Sequence, residues 1–169
     1  IAEETDFPPG VINIVTSSDH AVGAQLSSDP RVDIVSFTGS TATGRKVMAA
    51  SAESLKKVFL ELGGKSANIL LPDVDFQTAV TKGVLGMMGN SGQSCNAPTR
   101  MLVPNARMAE ALAIAKEAAE ATTVGAPDSG AAIGPVISAT QWDKIQTLIN
   151  RGIAEGAKVE ARGPGKPAA

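Results

Sequence analysis

Aromatic side chains are scarce in this chain of 169 residues: phenylalanine, tryptophan and tyrosine make up 3% of it, and tyrosine is absent. This composition argues against a nucleic-acid surface built on base stacking and against an aromatic cage for a cationic ligand. The formal net charge of −2 argues against a binder of the phosphate backbone, because such proteins usually carry a basic stripe. We therefore expect no nucleic-acid partner.

Cysteine, histidine and long apolar runs are equally rare. The single cysteine, Cys95, rules out an internal disulfide, so a reducing compartment such as the cytoplasm fits best. No apolar run approaches the roughly 18–20 residues of a membrane span, and Ile1–Asp6 lacks the basic start and apolar core of a signal peptide. The only histidine, His20, is more typical of a loop residue than of a catalyst. We assign no metal site and no membrane partner.

Short apolar runs rich in β-branched residues alternate with segments of helical period, and the connections between them are short. The predicted strands are Val11–Val15, Val32–Phe37, Lys57–Glu61, Ala67–Leu71, Met101–Val103 and Lys158–Ala161. The predicted helices are Ala21–Leu26, a helix from the Thr38–Gly44 turn to about Glu53, one after Asp73 or Asp75, one from Asn105 to about Ala121, and one from Ser138 to Gly156. This alternation favours an α/β fold with a parallel sheet.

Three of these helices have apolar stripes that are expected to face the core. The stripes are Phe76, Val80, Val84 and Met87 or Met88 in the first; Met108, Leu112 and Ala115 in the second; and Trp142, Ile145, Ile149 and Ile153 in the third. Asn105 and Ser138 are the expected N-caps of the last two helices, and Gly156 is expected to end the third.

The turn from Gly39 to Gly44 is a candidate anion site. A strand end, a Gly-Ser-Thr turn and a helix start direct free N–H groups and the positive helix end toward one point. Thr41 stands where the common dinucleotide fingerprint has its middle glycine, so the turn alone is more typical of an ordinary capped helix than of a phosphate site. A second candidate, Gly64-Lys65-Ser66, is not a P-loop, because Phe59 occupies the position of the first glycine.

Two further residues are candidates for catalysis. Cys95 follows Gly92-Gln93-Ser94 and is a candidate nucleophile, although a lone cysteine is more often an inert, packed residue. Glu61 ends an apolar strand and is a candidate general base, although such a residue is usually only a solvated strand end. Taken one at a time, these residues do not decide between the two interpretations.

Taken together, four motifs resemble those of the NAD(P)-dependent aldehyde dehydrogenase superfamily. Glu61-Leu62-Gly63-Gly64-Lys65-Ser66 and Gly92-Gln93-Ser94-Cys95, closing at Thr99-Arg100, are similar to its pair of active-site signatures. Phe37–Gly44 is similar to its cofactor-binding turn, and Gly134-Pro135-Val136-Ile137-Ser138 to its loop before a helix. The resemblance covers nearly the whole chain in the right order and spacing.

The resemblance implies a role for each matching residue. Cys95 is the expected nucleophile, its N–H is half of an oxyanion hole, and Glu61 is the expected general base; the other oxyanion donor, an Asn side chain, is expected before Ile1. The expected cofactor is NAD or NADP, and the residues expected to bind it are Gly39, Ser40, Thr41, Gly44, Phe37, Gly23 and Leu62. Ser17 and Asp19 stand where many relatives have glycine.

The resemblance also implies an incomplete enzyme. Residues 1–63 are expected to be the C-terminal part of a Rossmann-like NAD(P)-binding domain, and residues 64–169 the N-terminal part of an α/β catalytic domain. The two glycines at 63 and 64 are expected to allow the chain to turn sharply between the two domains. The start without Met and the loop from Gly163 to Ala169 are consistent with a central fragment. The whole enzyme is expected to be a dimer or tetramer of identical subunits.

The expected reaction is oxidation of an aldehyde to a carboxylic acid through a cysteine thioester. Two alternatives stay open: a non-catalytic fragment that serves as an assembly module, and a CoA-acylating relative in which CoA replaces water. Such relatives commonly lack the glutamate, so Glu61 favours hydrolysis.

Overall fold

The structure is a computed structural model and describes residues 5–166. The expectations that concern residues 1–4 and residues 167–169 lie outside the described residues. The chain divides into two compact units, which meet in the sequence between Leu62 and Gly63. Their assignment to a cofactor-binding and a catalytic domain stays a prediction.

The described part of the first unit, residues 5–62, contains one pair of parallel strands. Its elements are α1 (His20–Ser28), β1 (Ile34–Gly39), α2 (Thr41–Ser51), a 3₁₀ turn (Ala52–Ser54) and β2 (Lys57–Leu62). The register places Ile34 opposite Lys57 and Gly39 opposite Leu62. Parallel strands need a crossover between them, and α2 supplies it. The expected α/β arrangement is confirmed, with small parallel sheets.

A buried lysine holds the C-terminal end of α1. Lys56 is only 8% exposed, and its ammonium group donates hydrogen bonds to the backbone oxygens of Leu26 (3.4 Å) and Asp29 (2.7 Å). The Ser51 hydroxyl donates to the backbone oxygen of Ser27 (3.3 Å) and so links α2 to α1. The ammonium group thus satisfies carbonyl groups at a helix end that have no partner within the helix.

Residues 63–166 of the second unit contain another parallel pair and three α-helices. Its elements are β3 (Ala67–Ile69), α3 (Phe76–Met88), a 3₁₀ turn (Gly89–Gly92), β4 (Arg100–Leu102), a 3₁₀ turn (Asn105–Arg107), α4 (Met108–Ala121) and α5 (Ala139–Ala154). Ala67 lies opposite Arg100, and Ile69 opposite Leu102. Asp75, one of the two expected caps, begins α3 by accepting from the N–H of Thr78.

The core of the second unit lies between α3 and α4. The predicted stripe of Phe76, Val80 and Val84 is buried, as the spacing of four residues requires. The residue after β3 and the helix α4 contribute the other buried members of the core, which are Leu70, Ala111, Ile114, Ala118 and Ala119. The Arg107 guanidinium lies 3.7 Å from the centre of the Phe76 ring and covers its outer side.

Two predicted strands are wrong. Residues 11–15 form no strand, and their apolar side chains are exposed, Ile14 to 86%. Residues 158–161 likewise form no strand. A β-branched run adopts strand structure where it has a partner to pair with, and neither run pairs with a described strand.

The predicted start of α4 is also wrong, and its predicted inner face is right only at Ala115, which packs against the core. Asn105 begins a 3₁₀ turn, and the helix itself starts at Met108 without a side-chain cap. Met108 and Leu112 are about 40% exposed, because the helix turns the face carrying Ala111 and Ile114 toward α3. Small alanines allow α4 to approach α3 closely, and the larger side chains of the expected stripe lie to one side.

The ends of α5 agree with the sequence, but its inner face does so only in part. Ser138 caps the helix by accepting from the N–H of Gln141, and Gly156 ends it with φ of +99°. The N–H groups of Gly156 and Ala157 donate to the oxygens of Ile153 and Gly152, which is the Schellman pattern. The expected stripe of Trp142, Ile145, Ile149 and Ile153 is only partly covered, since α5 contains no buried residue.

Residues 5–166 include no helix that is both long and apolar enough to cross a bilayer. Over the same range, His, Cys, Asp and Glu side chains form no group of three or more that could hold a metal ion.

Candidate active site

The carboxyl end of the β1–β2 pair gathers several of the predicted site residues. The parallel register places Thr38 opposite Glu61 and Gly39 opposite Leu62, so the last two residues of β2 lie beside the start of the Gly39–Gly44 turn. The Glu61 side chain is exposed. This edge of a parallel sheet is where α/β proteins bind their ligands.

The turn after β1 has the geometry of an anion site. Ser40 caps the 11-residue helix α2: its hydroxyl oxygen accepts from the Thr43 N–H at 3.2 Å and lies 2.9 Å from the Thr43 hydroxyl. Within residues 5–166 the N–H groups of Thr41 and Ala42 have no acceptor. Two free donors at the positive end of a helix suit a phosphate or pyrophosphate group, so the turn fits the cofactor that the sequence implied.

The glycines at both ends of this turn lie against the ends of neighbouring side chains. A Cβ on Gly39 would lie 2.5 Å from the Phe37 ring, and one on Gly44 would lie 2.7 Å from Leu62 Cδ2. Gly44 is buried, and the Leu62 side chain packs on it. Phe37 and Leu62 therefore shape the turn by packing against its glycines.

Gly23, the remaining predicted cofactor residue, lies on α1. It is exposed, and a Cβ there would meet no atom within 4 Å. Its backbone oxygen accepts a 3.4 Å hydrogen bond from the Ser27 hydroxyl. The helix packs on α2, so Gly23 belongs to the same unit as the Gly39–Gly44 turn.

Cys95 lies in the second unit with an exposed thiol. It occupies a turn closed by the hydrogen bond from the Ala97 N–H to the Ser94 oxygen (3.2 Å). The N–H of Cys95 itself donates to no acceptor in the part of the chain that the structure describes. A free donor next to an exposed sulfur is the arrangement that an oxyanion hole requires.

The approach to Cys95 contains three consecutive residues in the left-handed region. Asn90, Ser91 and Gly92 have φ of +50°, +56° and +74°. Only glycine adopts this conformation without cost, and for other residues the cost is roughly 1–2 kcal/mol each. The sequence cluster Asn-Ser-Gly is a turn signal that could have located this feature, but sequence reasoning missed it.

Side chains from this turn bind the loop before α5. The Ser91 hydroxyl donates to the backbone oxygen of Gly134 (2.6 Å), and the N–H of Ile137 donates to Gln93 Oε1 (2.8 Å). Gln93 Nε2 also donates to the backbone oxygen of Asn90 (3.1 Å). The structure thus joins two of the motifs singled out in the sequence, Gly92–Cys95 and Gly134–Ser138.

A third motif, Gly63–Ser66, also lies close to Cys95. A Cβ on Gly64 would lie 2.9 Å from the Cys95 backbone oxygen. Next to it, Arg100 Nε donates to the Lys65 oxygen (2.8 Å), and the Arg100 N–H donates to the Ser66 oxygen (3.2 Å). The Gly63–Ser66 segment therefore flanks the Cys95 turn.

A concave surface of the second unit lies elsewhere. It has a volume of about 710 Å³, runs along β3 and the first half of α3, and contains Asn68, Lys82 and Pro98 among its lining residues. None of the predicted site residues lines it.

Comparison with known proteins gives the family. The profile of the aldehyde dehydrogenase family matches residues 1–169. A 3-succinoylsemialdehyde-pyridine dehydrogenase from a Pseudomonas species is 50% identical over 168 residues, which are 99% of this chain and 35% of that protein. The chain therefore spans about a third of the length of this relative, and it belongs to the aldehyde dehydrogenase family.

Solved structures agree in fold. Aldehyde dehydrogenase C from Pseudomonas syringae, a cysteine-to-alanine mutant in complex with NAD⁺ and octanal, has a TM-score of 0.92 and 46% identity, covering 95% of this chain and 33% of that one. An aldehyde dehydrogenase from Bartonella henselae has a TM-score of 0.84 and 50% identity, covering 88% of this chain and 32% of that one.

Proposed function

We propose that the protein carrying this chain is an NAD(P)-dependent aldehyde dehydrogenase that oxidises an aldehyde to a carboxylic acid, with Cys95 as nucleophile and Glu61 as general base. The observation that carries the proposal is the family match over the whole chain, combined with the exposed thiol of Cys95 beside its own unpaired N–H. The Pseudomonas syringae neighbour holds NAD⁺ and octanal together when a cysteine is replaced by alanine, which supports a cysteine nucleophile.

The cofactor half of the proposal rests on the Gly39–Gly44 turn. Gly39, Ser40, Thr41 and Gly44 bind the pyrophosphate of NAD or NADP, with the free N–H groups of Thr41 and Ala42 as donors. Phe37, Leu62 and Gly23 complete this side of the site. Several structural neighbours are complexes with NAD⁺, which supports the same class of cofactor here.

The proposed chemistry begins at sulfur. The Cys95 thiolate adds to the aldehyde carbon, a C–S bond forms, and the carbonyl oxygen takes the negative charge. The Cys95 N–H donates to that oxygen, and a donor of this kind contributes about 2.7–4 kcal/mol to the transition state. Bound NAD(P)⁺ supplies the acceptor for the hydride that leaves the same carbon. A thioester on Cys95 results.

Glu61 acts in the second half-reaction. Its carboxylate takes a proton from water, the water oxygen attacks the thioester carbon, and the C–S bond breaks to release the carboxylic acid and the thiolate. The Glu61 side chain is exposed at the carboxyl end of β2, where water can reach its carboxylate.

The proposal also covers the domains, the oligomeric state and the location of the whole protein. Residues 1–63 and 64–169 are parts of a cofactor-binding and a catalytic domain, and the whole protein is a cytoplasmic dimer or tetramer. The division of the chain after Leu62 supports the first statement, and the single cysteine supports the cytoplasmic location.

The test follows NADH or NADPH formation by the full-length protein with an aldehyde. Cys95→Ala should abolish turnover, whereas Glu61→Gln should allow one burst of reduced cofactor and then stall at the thioester. Steady turnover of Glu61→Gln when CoA is added, at the wild-type rate, would instead identify a CoA-acylating enzyme. We expect residues 1–169 alone to be inactive; turnover by them that Cys95→Ala removes would contradict this expectation.

A further inference from the structure

We propose that Gln93 and Ser91 are positioning residues for the Cys95 thiol, because they fix the turn that carries it to the Gly134–Ser138 loop. The proposal rests on the proposed role of Cys95 as nucleophile. Neither side chain needs to touch substrate or cofactor; each acts through the backbone of the turn.

The turn cannot hold its shape by backbone preference. Asn90 and Ser91 both have positive φ, and two adjacent non-glycine residues persist in that region only where their surroundings hold them. Left free, this segment would relax to more common conformations. A relaxed turn would carry Cys95, only four residues beyond Ser91, to a different position.

Gln93 supplies a hydrogen bond at each end of its amide. Its Nε2 donates to the backbone oxygen of Asn90 (3.1 Å) and closes the turn, while its Oε1 accepts from the Ile137 N–H (2.8 Å) and ties the turn to the loop. The Asn90 side chain reinforces the closure, since its Nδ2 donates to the backbone oxygen of Gln93 (3.2 Å). A glutamine is the right residue because both a donor and an acceptor are needed on one side chain.

Ser91 provides a second, independent tie to the same loop. Its hydroxyl donates to the Gly134 oxygen at 2.6 Å, across 43 positions of sequence. Two ties to a loop fix orientation as well as distance. Gly64 also lies against the Cys95 backbone oxygen, so a second segment of the chain packs on the nucleophile's backbone. Such restraint matters because a misplacement of about 1 Å can cost about 100-fold in rate.

The first test is Gln93→Met in the full-length protein, with Gln77→Met as the matched control. Gln77 is exposed on α3, and its side chain makes no hydrogen bond to a described residue. We expect Gln93→Met to lower kcat about ten- to hundredfold and to leave KM for NAD(P)⁺ within about twofold. Gln77→Met should match the wild type in both. Ser91→Ala is the second variant and replaces Gln93→Met in the test if Gln93→Met folds poorly. We expect it, too, to lower kcat and to leave KM for NAD(P)⁺ nearly unchanged.

Hydrogen exchange of one amide provides a readout besides activity. In Gln93→Met the Ile137 N–H loses its acceptor and should exchange about fivefold faster, whereas the Gln141 N–H, bonded to the Ser138 hydroxyl, should not change. Gln93→Glu retains an acceptor for Ile137 but no donor for Asn90. It should restore the slow exchange at Ile137.

The outcomes are distinguishable. Wild-type kcat in both Gln93→Met and Ser91→Ala, while Cys95→Ala is inactive, overturns this inference and leaves the proposed function intact. A fall in kcat matched by an equal loss of cofactor binding and of thermal stability also overturns it, because it indicates general unfolding. Full activity in Cys95→Ala overturns both proposals.

Discussion

Gly64 and Cys95 lie so close that a methyl group on Gly64 would be 2.9 Å from the Cys95 backbone oxygen. Neither Gly64 nor its neighbour Gly63 has a positive φ, so other residue types could adopt the same backbone conformation. The sequence predicted that these glycines serve a sharp turn, but at Gly64 the structure gives another reason, which is space for the Cys95 turn. A backbone oxygen cannot rotate away as a side chain can, so the whole turn would have to move.

Gly64→Ala should therefore lower activity more than it lowers stability. The added methyl group displaces the backbone of Cys95, and the expected loss in kcat is about 10- to 100-fold. Gly63→Ala is the matched control, because a Cβ there meets no atom within 4 Å. Steady-state kinetics of the two variants check the prediction; equal activities would contradict it.

A second pair of glycines, both on α3, tests how closely that helix packs on β3 and β4. A Cβ on Gly83 would collide with the Asn68 amide and lie 2.6 Å from Met101 Cε, whereas one on Gly86 would meet nothing within 4 Å. We expect Gly83→Ala to cost about 1–3 kcal/mol by overpacking. Gly86→Ala should raise stability by roughly 0.5–1 kcal/mol, because alanine favours a helix. Thermal unfolding of both variants gives the comparison, and shifts of the same sign would refute it.

Thr99 has a buried hydroxyl without a partner among the described residues. An unpaired buried hydroxyl costs roughly 1–3 kcal/mol, so Thr99→Val, which keeps the shape and removes the hydroxyl, should stabilise the protein by about 1 kcal/mol. Thr99→Ser retains the hydroxyl, loses the methyl group and should be less stable than the wild type. The thermal midpoints decide, and a lower midpoint for Thr99→Val would mean that the hydroxyl has a partner.

Local signals in the sequence located the helices well. Ser138 and Gly156 mark the ends of α5 because a cap acts within four residues of itself, and the stripe of Phe76, Val80 and Val84 reports a period that the helix imposes. The same kind of signal failed for residues 11–15, since strand formation depends on a partner elsewhere in the chain.

At the candidate site, too, local features could be predicted from the sequence and tertiary contacts could not. Motifs identified Glu61, Cys95 and the Gly39–Gly44 turn as candidates, and their roles stay proposals. The hydrogen bond between Gln93 and Ile137 joins residues 44 positions apart, and no local pattern predicts which amide the glutamine will meet. The contact of Gly64 with Cys95 is likewise a tertiary event. The sequence does not predict which residues distant in the chain come into contact at the site.

The N-cap of α3 should make stability depend on pH in a defined direction. The Thr78 hydroxyl (2.7 Å) and Thr78 N–H (3.3 Å) donate to the two carboxylate oxygens of Asp75, and these hydrogen bonds lower the pKa of Asp75. The pKa of an aspartate in the unfolded chain is about 3.9, and above that pH the ionised carboxylate of Asp75 stabilises the folded state. This stabilisation is lost as the pH falls through the lower pKa that Asp75 has in the folded state. Asp75→Asn keeps a capping oxygen but has no charge to titrate.

We therefore expect the difference in thermal midpoint between the wild type and Asp75→Asn to be constant above about pH 5 and to shrink as the pH falls below about 4. Asp128→Asn is the matched control, because Asp128 lies in an exposed loop and its side chain accepts no hydrogen bond from a described residue. Its difference from the wild type should not follow this profile. Calorimetry from pH 2.5 to 7, taken at about half-unit steps, measures both variants. A difference for Asp75→Asn that grows on acidification would show that the capping hydrogen bonds favour the protonated carboxyl.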